Sequence, residues 1–544
     1  MSDYIEYPCG CKFKKNEKGL PIFNPNIEDM PLDCGRTWDM ICEGNTKGVF
    51  QLESQLGQSK AKEVKPNTIE ELSDLIAIIR PGCGDAIVNG KSLTQHYIDR
   101  KSKKDPVEYF HSDLEPVLKS TYGILVYQEQ AMQIAQLVAG FSLEQADNLR
   151  KAIGKKNVEL MAKVKEDFFS GAKELKRFTE AEAEEIFSWI EKSQKYSFNK
   201  SHSVSYAYNG YQTAYAKAHF PRAFFTSYLR HADGKPKPFE EISELVNNAR
   251  LMDIDVIPPS IKSLCPRFKL IDNKPTFGLV NVKNVGQSVY DQLKAYIDKN
   301  NIDIDSMEWE EFLMRLGRFI KSNSFESMIK AGVFDCYGLH RSKMLYDFTI
   351  YKEIKDRDKK FLSEDISKTF KDGLERLIDD IKARRRTAWT DKNIEFLKSS
   401  ILSIESPPYE LVDKWSWRAK QERDLLGIEL TCSEIDEYDI MDANCTCREY
   451  FKGYNNQSTI AIAAQVSDIR EWKIKAGPNK GSVMAFLKIS DNTCCLDSVT
   501  VFSEDWKIIK NKVSIGKVLL FRGNRDKKKG SFLLKSVQKL NQCI

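Results

Sequence analysis

Apolar positions along the chain fall into two regimes. In residues 70–79, Leu72, Leu75, Ile76, Ile78 and Ile79 recur at the spacing of a buried helical face, and the run stops at Arg80-Pro81-Gly82. Proline has no N–H to donate there and glycine permits a sharp turn. Residues 129–138 and 147–153 carry amphipathic helical patterns, and 180–191 sets charges on one face and Ala, Ile, Phe and Trp on the other. Residues 206–215 read as an apolar, packed helix. The stretch 31–230 is therefore predicted to be mostly helical, after a short lead-in over 1–30. A Gly/Pro-rich connector, Ala232-Asp233-Gly234-Lys235-Pro236-Lys237-Pro238, comes next. Residues 277–286 and 328–338 each read as short helices around a glycine-containing turn, and 341–431 as a charged helical connector. From Thr459 the pattern becomes that of strands, at 459–466, 483–489, 498–502 and 517–523, separated by Gly, Asn and Asp turns. Short strands so spaced fit a small barrel. The expected fold class is multidomain α+β, helical for most of its length with a C-terminal β-barrel.

Composition narrows the picture. At 544 residues the chain has room for several domains. It holds no run of about eighteen apolar residues, so no membrane partner is expected. The first residues have neither a basic segment nor an apolar core of a secretory signal. Thirteen scattered cysteines suggest reduced thiols and a cytoplasmic setting. Cys9-Gly10-Cys11 with Cys34 and Cys42 matches no closed zinc spacing, so no metal site is expected on sequence grounds. The net charge of +5, from 83 basic and 78 acidic residues, is too small for a wholly cationic protein. It points instead to local basic surfaces at 101–104, 151–156, 384–386 and 527–529.

Chemistry concentrates in Phe198-Asn199-Lys200-Ser201-His202-Ser203, where a lysine and a histidine stand at the start of the packed helix. Fixed cations at a helix N-terminus favour anions. Four further motifs precede it in order: Val49-Phe50-Gln51-Leu52-Glu53-Ser54, Arg80-Pro81-Gly82, Tyr122-Gly123-Ile124-Leu125-Val126-Tyr127-Gln128-Glu129-Gln130, and Leu149-Arg150-Lys151-Ala152-Ile153-Gly154-Lys155-Lys156. Together they closely resemble the fingers region of the alpha subunit of bacterial DNA polymerase III, the C family of replicative polymerases of bacteria and bacteriophages. The resemblance runs from about Leu32 to the end of the chain. It implies fingers over 31–231, tandem helix-hairpin-helix units over 239–340, and an OB-fold over 432–544.

The resemblance implies a nucleotide site built from Arg80, Tyr127, Gln128, Arg150, Lys151, Lys200 and His202. Deoxynucleoside triphosphates would be the substrates. Tyr127 reads equally as a buried structural aromatic, and Arg150 and Lys151 diverge by about 100° on a helix. DNA contacts are expected at Lys155 and Lys156, at Lys283 and Gly286 of the first hairpin, and at Trp472 of the barrel. Phe486 and Phe502 read either as further stacking aromatics or as barrel core, and the core reading is the preferred one. No catalytic residue is expected here, because the family's three palm aspartates have no counterpart in the matched region. Mg2+ would then be held by a separate palm-bearing chain, with primer-template and single-stranded DNA as further partners. Asp253-Ile254-Asp255 and Asp303-Ile304-Asp305 would pair their carboxylates on a strand, but fall where the family is non-catalytic. A sliding clamp is a further implied partner. The nearest approach to its glutamine–aliphatic–aromatic peptide is Gln421-Glu422-Arg423-Asp424-Leu425-Leu426. The alternative to half of a split polymerase is a non-catalytic DNA-binding replication factor that keeps the hairpins and barrel.

Overall fold

A computed structural model describes residues 3–154, 158–193, 196–365, 367–383, 388–453, 459–474, 478–526 and 530–543. The chain divides into two compact units, Met1–Pro221 and Arg222–Ile544.

The first unit opens with an antiparallel hairpin, β1 (Tyr4–Glu6) and β2 (Lys12–Lys14). Helices α1 (Gly35–Cys42), α2 (Ile69–Ile78), α3 (Gln128–Ala139), α4 (Leu143–Gly154), α5 (Val158–Leu175), α6 (Glu180–Ser193) and α7 (Lys200–His219) build most of the remainder of this unit. Two apolar cores form. Trp38, Ile41, Leu72, Leu75, Tyr211 and Ala214 join α1, α2 and α7. Ile134, Val138, Leu149, Phe168, Phe187 and Ile190 join α3 to α6. The lead-in contributes to the first core through Cys11, Phe13 and Met30. Helix starts have local causes. Thr68 accepts from the Glu71 N–H ahead of α2, and Asn199 accepts from the His202 N–H ahead of α7. Each cap satisfies one of the unpaired donors of a first turn. Gly210 lets the 45–54 loop approach α7, since a Cβ there would sit 3.2 Å from the Phe50 carbonyl oxygen.

In the second unit one core runs from Phe225 to Ile428 through Phe268, Phe277, Leu293, Trp309, Phe325, Phe348 and Leu377. The hairpins and the charged connector thus share a core, because hairpins this short have too little apolar face to bury alone. The elements that matter are α8 (Gln287–Lys299), α9 (Ser322–Lys330), α10 (Arg341–Glu353) and α11 (Trp415–Leu426). The helix expected before the first hairpin turn is a single 3-10 turn, Leu279–Asn281.

The C-terminal barrel is closed, from β3 (Ile460–Lys473), β4 (Val483–Ser490), β5 (Cys495–Val501), β6 (Val518–Arg525) and β7 (Phe532–Lys539). Neighbours run β6-β7-β5-β4-β3, with β6 closing on β3. The β7–β5 pair is parallel, the others antiparallel. This is an OB-like barrel. A register shift between Val466 and Asp468 interrupts the alternation of β3, which is why the sequence pattern ends at 466 while the strand continues to Lys473. The fifth strand, β7, lies outside the four that the sequence pattern predicts.

Two expectations for the barrel are corrected. Phe486 is 36% exposed and Phe502 is 46% exposed, so neither lies in the core. On β4 it is Ala485, Leu487 and Ile489 that point inward, which turns Phe486 out, and Phe502 stands just beyond β5 as it caps a short helix. Among the described residues no helix is long and apolar enough to cross a membrane.

Candidate functional site

The chain segments entering α3 and α7 meet at an isolated parallel bridge between Tyr127 and Phe198. Gln128 N–H donates to the Phe198 carbonyl and Phe198 N–H to the Val126 carbonyl, each at 2.9 Å. Two helix N-termini are thereby held side by side. Glu129 occupies the start of α7, accepting from Asn199 Nδ2 and from the Lys200 N–H, both at 2.9 Å. A carboxylate is favourable at that end of a helix dipole.

Cations collect on this bridge. The Arg80 guanidinium lies 3.6 Å from the centroid of the Phe198 ring, and the Lys200 ammonium 5.7 Å from that of Tyr127. His202 sits edge-on to Phe198 at 5.4 Å and 3.9 Å from Tyr206. Arg80, Lys200 and His202 are exposed. Among the described residues neither Arg80 nor Lys200 forms an ion pair with a carboxylate. Aromatic faces hold such cations in place without neutralising them.

Tyr127 is 1% exposed and lies beneath Lys200. Its hydroxyl donates to Asp74 Oδ1 at 2.7 Å and lies 2.9 Å from Ser73 Oγ. Tyr97 donates to the other oxygen of Asp74 at 2.8 Å. Ser203 of α7 closes the network by donating to the Ser73 carbonyl at 2.7 Å. Burial pushes the Asp74 carboxyl up to about 6, against the pull of the two tyrosine hydroxyls and Lys200. Of the two readings of Tyr127, the structure gives the buried one. Sequence reasoning misses Asp74, although an aspartate inside an apolar helical run signals a satisfied buried polar group. It also misses Lys217, fully buried on α7, which donates to the carbonyls of Asn45 and Lys47, both at 2.9 Å, and fixes the 45–54 loop. Burial holds its ammonium pKa well below the usual lysine range.

Gln128 opens α3, half-buried beside the bridge. Arg150 and Lys151 converge despite their adjacency: Arg150 Nη2 lies 2.8 Å from one oxygen of Asp147 and Lys151 Nζ 2.7 Å from the other. No described contact joins this pair to Arg80 or Lys200. Lys155 and Lys156 lie outside the described residues, as do the basic runs 384–386 and 527–529.

In the second unit, Gly286 precedes α8 with no side-chain cap, its carbonyl accepts from the Val289 N–H at 3.0 Å, and Lys283 beside it is exposed. A Cβ on Gly286 would meet only Ser288 Oγ, at 3.9 Å, so internal packing does not require the glycine. Ser324 Oγ donates to the Asn284 carbonyl at 2.6 Å, which fastens this turn to α9. The second hairpin differs, because Gly332 packs on the Arg341 guanidinium and its Cβ would lie 2.2 Å from Nη2. On the barrel, Trp472 is 53% exposed. It stands opposite Met484, two residues along from the Arg470–Phe486 pair. This outer face carries apolar and basic side chains together.

Residues 12–176 match the model of the bacterial DNA polymerase III alpha subunit finger domain, and residues 253–344 that of the helix-hairpin-helix motif. The chain is 30% identical over 515 residues to the DNA polymerase III subunit alpha of Aquifex aeolicus, covering 94% of this chain and 39% of that protein. It is 30% identical over 513 residues to that of Thermus aquaticus, covering 92% and 38%. The subunit of Campylobacter jejuni is 30% identical over 536 residues, covering 95% and 41%. This chain belongs to the DNA polymerase III alpha-subunit family. It spans about two fifths of the length of those curated relatives.

Within this polymerase-family chain neither of the two Asp-x-Asp pairs lies on a strand, contrary to what their alternation suggested. Asp253 adopts a left-handed φ of 57° and pairs with Lys452 at 2.6 Å and Arg448 at 3.5 Å. Asp303 accepts from the Asp305 N–H in a turn. The segment nearest a clamp peptide lies in α11, with Glu422 and Leu426 fully buried.

Proposed function

We propose that this chain supplies triphosphate binding and DNA holding for template-directed synthesis by a replicative polymerase of the DNA polymerase III alpha type. The observation that carries this reading is the pair of unneutralised cations, Arg80 and Lys200, held on Phe198 and Tyr127 at the N-termini of α3 and α7. Cations fixed before the ligand arrives need no reorganisation as charge grows on a leaving pyrophosphate. His202 adds a ring donor beside them. Arg150 and Lys151 join the site when a phosphate displaces Asp147. Lys283 and the N-terminus of α8 bind primer-template phosphates, and Trp472 with its basic neighbours stacks single-stranded bases.

Polymerisation also requires Mg2+ clamped by carboxylates, which activates the primer hydroxyl. The carboxylates near the bridge do not fit that task. Glu129 is bound to the start of α7 and Asp74 is buried on two tyrosines. In this reading a palm on a separate polypeptide supplies the aspartates. The test is primer extension by this chain, by a palm-bearing chain, and by their mixture, with gel filtration at micromolar concentration. Extension by the mixture alone, from a stable heteromer, is expected. Extension by this chain in isolation would overturn the assignment of the metal ligands. Two chains that migrate separately would favour a non-catalytic DNA-binding replication factor.

A further inference from the structure

Far from the bridge, at the opposite end of α7, four metal-ligating side chains meet within the first unit. Cys9 and Cys11 flank Gly10 in the β1–β2 turn, where Gly10 takes a φ of +84°. The turn is closed by Gly10 N–H to the Tyr7 carbonyl at 2.8 Å and Tyr7 N–H to the Cys11 carbonyl at 2.9 Å. Cys34 immediately precedes α1, and His219 is the last residue of α7. One ligand atom from each of Cys9, Cys11, Cys34 and His219 lies within 4.8 Å of all the others. Cys34 Sγ and His219 Nε2 are 3.3 Å apart.

A tetrahedral zinc ion, with Zn–S of about 2.3 Å and Zn–N of about 2.0–2.1 Å, sets its ligand atoms roughly 3.5–3.8 Å from one another. The four donors therefore need to close by only about 1 Å. Cys11, Cys34 and His219 are buried, while Cys9 is partly exposed. The rings of Tyr7, Phe13 and Tyr215 pack on the imidazole at 5.6, 5.2 and 4.4 Å between centroids. His219 Nδ1 is buried with no hydrogen-bond partner among the described residues. Buried polar groups left so poorly partnered cost stability unless something pairs them. The described thiols are all free, so no disulfide consumes these donors. Three thiolates and an imidazole are the donor set of a structural zinc site, with no position left for substrate.

We propose that Cys9, Cys11, Cys34 and His219 bind one structural zinc ion, fastening the N-terminal hairpin and the start of α1 to the end of α7. Each thiol loses its proton to solvent as its sulfur bonds the metal. Cys42 is no part of the site, since its thiol donates to the Pro66 carbonyl at 3.4 Å. Sequence spacing misses the set because its fourth donor comes 185 residues after Cys34.

The test uses the whole chain, reduced and purified from zinc-supplemented medium, with zinc measured by elemental mass spectrometry. One equivalent per chain is expected, exchangeable for Co2+ with the visible bands of a tetrahedral thiolate complex. Cys9→Ser, at the most exposed ligand, should weaken zinc affinity by more than about tenfold, the effect of losing even an outer-shell partner. Cys42→Ser should leave it unchanged. Chelation of the metal should lower the melting temperature of the wild-type chain and not that of Cys9→Ser. A folded, reduced chain with substoichiometric zinc and no tetrahedral Co2+ spectrum would overturn the proposal, whether or not Cys9→Ser folds. So would equal losses of affinity in Cys9→Ser and Cys42→Ser.

Discussion

Lys200 and Asp74 occupy two sides of Tyr127, and their expected effects separate chemistry from stability. In a reconstituted polymerase, Lys200→Ala should slow single-turnover incorporation about a hundred- to a thousandfold, or ~3–4 kcal/mol, the cost of losing one donor to transition-state charge. DNA affinity should change little, because many other groups hold the duplex. Lys200→Arg should rescue in part, since guanidinium is longer and planar. An unchanged rate with a lowered melting temperature would reduce Lys200 to an anchor of α7. Asp74 answers to pH. Its carboxyl stands at about 6 in the folded chain against an ordinary 3.8. Between these values the folded state holds more of this proton than the unfolded one, so the contribution of Asp74 to stability is greatest at low pH and falls as pH rises through about 6. Moving the carboxyl from 3.8 to about 6 corresponds to ~3 kcal/mol. Urea unfolding from pH 4 to 7 should show this slope in the wild type and lose it in Asp74→Asn. Equal slopes would mean that Asp74 is not held as described.

At the scale of elements, α9, α10 and α11 are joined through one buried guanidinium. Arg341 donates to both oxygens of Asp335 at 2.9 and 2.6 Å, to Glu422 at 2.7 Å and to the Lys330 carbonyl at 3.0 Å. Glu422, fully buried, also accepts from the Leu430 and Thr431 N–H groups. Arg341→Ala would leave that carboxylate uncompensated and should cost about 3–5 kcal/mol. Arg341→Lys should restore little, since a single ammonium cannot reproduce the forked contacts. Denaturant unfolding measures both, and a loss below about 1 kcal/mol for Arg341→Ala would contradict the buried network. The helices were legible because their periodicity and caps are local. The network was not, because Arg341 and Glu422 read as ordinary charges on two separate helices. The barrel shows the same limit: alternation predicts four strands, while β7, mixed with exposed polar residues, emerges only once it pairs with β5 and β6.

Over the whole molecule the charge balance is +5, too small to drive DNA binding without local clustering. The chain should nevertheless bind single-stranded DNA with an affinity that falls as salt rises, by a logarithmic slope of about −0.7 per phosphate contacted. Trp472→Ala should weaken binding by about 1–3 kcal/mol, the usual worth of one stacked base. It should leave the slope unchanged, because an indole releases no counterion. Fluorescence anisotropy across a salt series reads both quantities. An affinity indifferent to salt would make the barrel a surface for protein partners.

The sequence by itself determined the class of fold, the order of its parts and the family, because helical period, turn residues and ordered motifs are written in neighbouring positions. It also singled out Arg80, Tyr127, Lys200 and His202. Tertiary structure decided how those residues are held. It buried Tyr127 on Asp74, left Arg80 and Lys200 without carboxylate partners among the described residues, and set Arg150 and Lys151 on Asp147. It turned Phe486 and Phe502 outward and brought His219 to Cys9, Cys11 and Cys34. Pairing, burial and coordination depend on distances between segments far apart in the chain, and those distances exist only once the helices and strands have packed.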